Sequence, residues 1–137
     1  MKKTIIATLL ALSALLSAGT YVCAYGGGDI ASPYYLYTYT VKITLTISGT
    51  TAYCESSITC DSTVTRIYGT QYLERKNGDK WEYVNSWSDS TSNNYLTMSN
   101  TEYDLDEGTY HLRTTFTVYS GSSSETIEKT SKEKTVS

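Results

Sequence analysis

Tyr110-His111-Leu112-Arg113-Thr114-Thr115-Phe116-Thr117-Val118-Tyr119 decides the fold. Tyr110, Leu112, Thr114, Phe116 and Val118 fall on one side of an extended chain. His111, Arg113, Thr115, Thr117 and Tyr119 fall on the other. Side chains alternate across a strand with a period of two, so this stretch predicts a strand with one buried face. A helix would need apolar residues at i, i+3, i+4 and i+7, and no such run spans three turns beyond the N-terminal segment.

The same period runs upstream. From Tyr35 the odd positions are Tyr35, Tyr37, Tyr39, Val41, Ile43, Leu45 and Ile47, closed by Ser48-Gly49. Ala52, Cys54, Ser56 and Ile58 form the inner face of a second strand, over Thr51 to Thr59. A third, about Thr63 to Arg75, aligns Ile67, Gly69, Gln71 and Leu73 against Val64, Tyr68 and Tyr72. Its mixed pattern is that of a strand covered on both faces or interrupted by a bulge. Asn77-Gly78 signals a two-residue type I′ hairpin turn returning through Lys80 to Trp87. Ser88 to Asn94 reads as a polar loop, Tyr95 to Asn100 as a short strand, and Glu125 to Val136 as a polar edge strand after a turn over Ser120 to Ser124. About seven strands at 8–12-residue spacing predict an all-β antiparallel sandwich.

Composition agrees. The 137 residues include 14 tyrosines, 23 threonines and 18 serines, but one proline and one phenylalanine. Tyrosine and threonine favour strands. One domain is expected over 34–137. It is preceded by a signal peptide over 1–24 and a glycine-rich leader over 25–33. Lys2 and Lys3 form the basic start of that signal, Ile5 to Leu16 its apolar centre, and small residues its end. Cleavage falls after Ala24, or after Ala18 with Leu16 three positions before the cut. The expected location is secreted, with no membrane association after processing. Cutting after Ala24 leaves nine Lys/Arg against 14 Asp/Glu. That acidic balance disfavours nucleic acid and anionic membrane surfaces as partners.

Asp106-Glu107-Gly108-Thr109-Tyr110-His111-Leu112 resembles the Asp-x-Gly-x-Tyr-x-Cys segment that opens strand F of immunoglobulin-like domains, with Leu112 in place of the cysteine. The resemblance implies an immunoglobulin-like β-sandwich in which Gly108 makes a tight corner and the Tyr110 hydroxyl bonds back to the loop beginning at Asp106. Cys54 sits where a strand B cysteine would, but the third strand has no tryptophan. The chain is also similar to small secreted proteins of Gram-positive, Clostridium-like gut bacteria. The matching residues are Tyr72-Leu73-Glu74-Arg75-Lys76, Trp81, Val84 to Ser88, Gly108 to Tyr110 and Ser124-Glu125-Thr126. That resemblance implies export and β-structure, and carries no mechanism.

Candidates for chemistry are few. His111 is the only histidine and falls on the outward face of its strand. A Ser-His-Asp triad built on it is compatible with spacing, yet no Gly-x-Ser-x-Gly elbow accompanies it. Glu102, Asp104, Asp106 and Glu107 crowd the approach to Gly108, either as a solvated acidic turn, as an acid/base pair or as oxygen ligands for calcium. Their spacing matches no EF-hand loop. Cys54 and Cys60 form an even pair once Cys23 leaves with the signal. Along an extended strand their Cα atoms lie roughly 20 Å apart, beyond disulfide reach. Either the chain turns between them and they bond, or Cys54 is a small buried residue and Cys60 a rim thiol. Tyr35, Tyr37, Trp81 and Trp87, with Tyr34 and Tyr39, exceed the aromatic needs of a small core. They are candidate binding aromatics for a protein or glycan.

The function expected is therefore a secreted, non-enzymatic binding module without catalytic residues, cofactor or metal. The alternatives are a small secreted hydrolase and an inhibitor or bacteriocin-like factor presenting a rigid loop at Asp61-Ser62 or over Ser88 to Asn94.

Overall fold

The computed structural model describes residues 35–137, which form an antiparallel β-sandwich. Strands β1 (Thr38–Ser48), β2 (Thr51–Cys60) and β5 (Tyr95–Glu102) make one sheet in the order β1-β2-β5. The other sheet runs β4 (Lys80–Thr91), β3 (Arg66–Asn77), β6 (Gly108–Ser120) and β7 (Ser123–Thr130), and β8 (Lys134–Val136) pairs with the start of β6. The expected signal peptide over 1–24 and leader over 25–33, with Cys23 and Tyr34, lie outside the described residues.

The inner faces follow the period-two reading. Ala52, Cys54, Ser56 and Ile58 are buried from β2, Ile67, Gln71 and Leu73 from β3, and Tyr110, Leu112, Thr114, Phe116 and Val118 from β6. They form two apolar clusters. One gathers Ile58, Cys60, Ile67, Leu96, Met98, Phe116, Val118 and Ile127. The other gathers Leu45, Ala52, Cys54, Leu73, Leu105, Tyr110, Leu112 and Val136. A polar belt crosses the core between them. The Gln71 amide donates to Ser56 Oγ at 2.8 Å and to the Cys54 carbonyl at 3.2 Å, Asn100 Nδ2 donates to Gln71 Oε1 at 2.7 Å, and the Ser56 and Thr114 hydroxyls bond at 2.7 Å. Gln71 is fully buried, and these bonds replace the water it loses.

Several expectations need correction. Among the described residues there are eight strands, because residues 131–133 interrupt the predicted closing strand and divide it into β7 and β8. A register shift between Thr38 and Thr40 turns Tyr39 outward and Thr38 inward, so the alternation begun at Tyr35 slips by one. Ser88 to Thr91 continue β4, where the Thr70 and Ser88 hydroxyls bond at 3.0 Å, leaving only 92–94 as the connection. The hairpin turn lies one residue later than expected. Asn77 pairs with Lys80, and Gly78 alone takes positive φ, at 61°. This is the pattern of a II′ turn, in which the first central residue needs the freedom of glycine.

Candidate functional site

Two surface regions emerge from these elements, and neither is the aromatic patch expected from sequence. Tyr35 and Tyr37 pack against the first core cluster, while Trp87 packs against the second. Trp81 alone of the four faces outward on the β4-β3-β6 sheet. There its ring stacks on His111 at 3.5 Å between centroids and 17° between planes.

That stack belongs to a cross-strand network. In the β3–β6 register Glu74 faces His111, with Arg113 two residues further along β6. Glu74 accepts from Arg113 Nε at 2.9 Å and Nη2 at 3.2 Å, and its Oε1 lies 2.8 Å from His111 Nε2. Arg113 also lies over the Tyr72 ring at 4.3 Å and reaches Glu128 at 3.2 Å. Burial alone would raise the Glu74 carboxyl. Hydrogen bonds from Arg113 and His111, with the Arg113 charge, outweigh it and hold the carboxyl below its ordinary value. Sequence reading places His111 on an exposed strand face. The face is right and the exposure wrong, because Trp81 covers the ring and leaves the residue 8 % exposed. A triad on His111 has little room, since Glu74 holds Nε2 and the indole covers one ring face.

The second region is a cleft of about 250 Å³ at the end of the sandwich where the β3–β4 hairpin meets the β5–β6 loop. Arg75, Leu105 and Tyr110 line it together with Glu82, Tyr83, Val84, Glu102, Tyr103, Asp104 and Asp106. The loop is pinned from below. Leu105 is buried and its N–H donates to the Thr50 carbonyl at 2.9 Å, while Asp104 takes a φ of 57° that reverses the chain. The Tyr110 hydroxyl donates to the Asp106 carbonyl at 2.6 Å. The Arg75 guanidinium donates to the Glu107 carbonyl and lies across Gly108. Gly108 takes a φ of 151°, which favours glycine, and a Cβ there would also come within 2.5 Å of Arg75 Nε.

On the opposite wall an irregularity between Leu73 and Glu74 leaves Val84 unpaired between Tyr83 and Asn85. Such a bulge re-aims neighbouring side chains. Tyr83 and Tyr103 are 65 % and 66 % exposed. Four carboxylates thus line the same cleft as one guanidinium, and Asn85 steadies Glu102 through a 2.7 Å bond. Among the described residues no group of three or more His, Cys, Asp or Glu is arranged to hold a metal ion. The acidic crowd singled out from sequence is therefore divided: Glu102, Asp104 and Asp106 line the cleft, whereas Glu107 contributes its backbone carbonyl to Arg75.

The cysteines do not bond. Cys54 and Cys60 are both free and buried on one uninterrupted strand, each in a different core cluster. Cys60 is thus no rim thiol. Burial pushes the Cys54 thiol up to about 12 and raises Cys60 as well, so neither is a ready nucleophile. Of the proposed loop sites, Asp61 is tied down by the Tyr39 hydroxyl at 2.8 Å and the Thr63 N–H at 2.7 Å.

Sequence reasoning missed Tyr83, Glu82 and Glu74. Glu102, Asp104 and Asp106 carry a signal as a local crowding of acids, Tyr110 as the corner tyrosine, Trp81 as an aromatic in excess and His111 as the one histidine. No family model matches the chain, and neither a curated protein nor a solved structure matches it.

Proposed function

We propose that this chain is a secreted, non-enzymatic binding module that receives a basic segment of a partner protein in the cleft at the β3–β4 end. The observation that carries this reading is the pairing of two exposed tyrosine rings, Tyr83 and Tyr103, with Glu82, Glu102, Asp104 and Asp106 around one concavity. Lysine and arginine heads are attracted both to aromatic faces and to carboxylates. A cleft pinned by the Leu105–Thr50 and Tyr110–Asp106 bonds loses little conformational freedom when occupied. The acidic balance of the chain favours the same partner through long-range attraction. Secretion is read from the Lys2-Lys3 start and the apolar run behind it.

We also read the sandwich as immunoglobulin-like. The orders β1-β2-β5 and β4-β3-β6-β7 support it, as does the Tyr110 hydroxyl bonded back to Asp106.

Titration of the protein with an oligolysine peptide, followed by NMR, tests the reading. The expected result is saturable shifts confined to Tyr83, Tyr103 and their neighbours, weakened several-fold by Tyr103→Ala and by added salt. Shifts absent there, or elicited by neutral oligosaccharides and not by the peptide, would overturn it.

A further inference from the structure

The sandwich has four lateral edges, and three carry devices that discourage a further strand. β1 is bulged at Tyr39, and the Lys129 ammonium occupies the Val41 carbonyl at 3.0 Å. Just before it, the Glu125 carboxylate takes the N–H groups of Leu36 and Tyr37 at 2.9 and 3.1 Å. β4 is bulged at Val84 and carries Lys80, Glu82 and Asp89. β7 carries Glu125, Glu128 and Lys129 within eight residues. Bulges, charges and capped backbone groups are the usual protections of an exposed edge.

β5 has none of them. It pairs with β2 without a register shift from Tyr95 to Glu102, and Glu102, at its last position, is its only charge. The Cys60 N–H bonds to the Asn94 carbonyl at 2.8 Å. Hydrogen-bonded pairs alternate along an antiparallel ladder, so Leu96, Met98, Asn100 and Glu102 turn their backbone groups toward β2. Tyr95, Thr97, Ser99 and Thr101 therefore turn theirs to the open side.

We propose that β5 is a self-association edge, on which a second copy of this chain adds its own β5 in antiparallel register about Met98. In that register Thr97 of one copy faces Ser99 of the other, and Tyr95 faces Thr101, in hydrogen-bonded pairs that use the groups now open. The parity is right: inner residues meet inner residues, Met98 against Met98 and Leu96 against Asn100. Hydroxyl side chains line the outer face on both sides, a favourable cross-strand combination. The one acid, Glu102, falls opposite Asn94 rather than another acid. The contact is isologous, so it closes after two copies and leaves no fresh edge at β5. It involves neither Tyr83 nor Tyr103 and shares only Glu102, at the end of β5, with the cleft proposed for the basic partner.

Sedimentation of the purified protein from micromolar to millimolar concentration tests the proposal. The expected result is a mass rising toward twice that of one chain. The paired substitution Thr97→Lys with Ser99→Lys places lysines opposite lysines in the dimer. Both positions are exposed, so the thermal midpoint is expected to stay put while the mass remains that of a single chain. Mixing this variant with one carrying Thr97→Glu and Ser99→Glu restores the doubled mass. A single-chain mass at millimolar concentration overturns the proposal. So does a dimer that survives the lysines, or a mixture that fails to associate.

Discussion

The two faces of the β3–β6 strand pair are built from alternate residues of the same segments, yet different physics holds them. Inward, Ile67, Leu73, Leu112, Phe116 and Val118 are removed from water and gain from the area they bury. Outward, Glu74, His111 and Arg113 trade hydration for one another, under Trp81 and beside Tyr72. The inner face gains nearly wherever apolar residues meet. The outer face depends on which residue stands opposite which, because an ion pair or ring stack lost by one register step is lost entirely. Stability is therefore expected to concentrate on the inner face and pH sensitivity on the outer one.

The largest effect is expected from Phe116→Ala. The ring is fully buried and packs against Gly69, whose missing side chain makes the space for it: a Cβ there would lie 3.0 Å from Phe116 and 2.7 Å from the Met98 sulfur. Large-to-small changes of this kind cost about 3–5 kcal/mol. Urea denaturation should show the midpoint falling with little change in slope. A loss below about 1 kcal/mol would mean that the apolar clusters are not the main support. Next comes Gln71→Ala in the polar belt, which strips Asn100, Ser56 and the Cys54 carbonyl of a partner. Buried groups left unsatisfied cost about 1–3 kcal/mol. This residue belongs to the inner face by position and to the outer face by chemistry. A cost near zero would place water in the belt.

These two residues also show how far the sequence can be read. Phe116 announces itself, since its neighbours alternate for ten residues and the period alone assigns its face. Gln71 shares that parity, but nothing local says that a glutamine will be matched by Ser56 and Asn100 from two other strands. The pairing of Glu74 with His111 is equally silent. They lie 37 positions apart, and their meeting is a fact of register. The cleft falls between these cases. Glu102, Asp104 and Asp106 crowd one stretch of chain and can be noticed there, whereas Tyr83 arrives across the β4 bulge. Bulges defeat period-two reading most directly: the period points Tyr39 inward, and the register shift between Thr38 and Thr40 turns it outward.

Glu74→Gln tests the outer face. The Glu74 carboxyl is held below its ordinary value of 4.5, so its contribution is present above that pH. It is lost as pH falls through the depressed folded value, where proton uptake breaks the bonds to Arg113 and His111. Folding stability measured from pH 7 downward should therefore decline below about 4.5. Glu74→Gln should cost about 1 kcal/mol at neutral pH and flatten that part of the decline. Parallel curves for the two proteins would show that Glu74 makes no pH-dependent contribution. Trp81→Ala, expected to cost about 0.5–1.5 kcal/mol, removes the ring stack while leaving the Glu74 bonds in place. In a double-mutant cycle the two changes should fail to add, since both act on His111.

The smallest effect is the most discriminating. Lys76 sits beside this network, its ammonium 5.8 Å from the Trp81 ring centre and 3.8 Å from Glu133. About half of each charged side chain in that ion pair is open to water, 45 % and 53 %, and solvent screens such pairs to about 0–1 kcal/mol. Lys76→Ala should therefore leave the denaturation midpoint within about 0.5 kcal/mol of the native value at low and at high salt. Glu74 and Lys76 are two residues apart on one strand and one face; each carries one unit of charge, of opposite sign, and they differ sharply in enclosure. Glu74 is held by Arg113 and His111 and is only 14 % exposed, whereas Lys76 has one ion-pair partner and is about half open to water. A salt-dependent loss at Lys76 as large as that at Glu74 would show that charge alone orders the outer face. A silent Lys76 beside a costly Glu74 assigns the difference to desolvation and to the register that produces it.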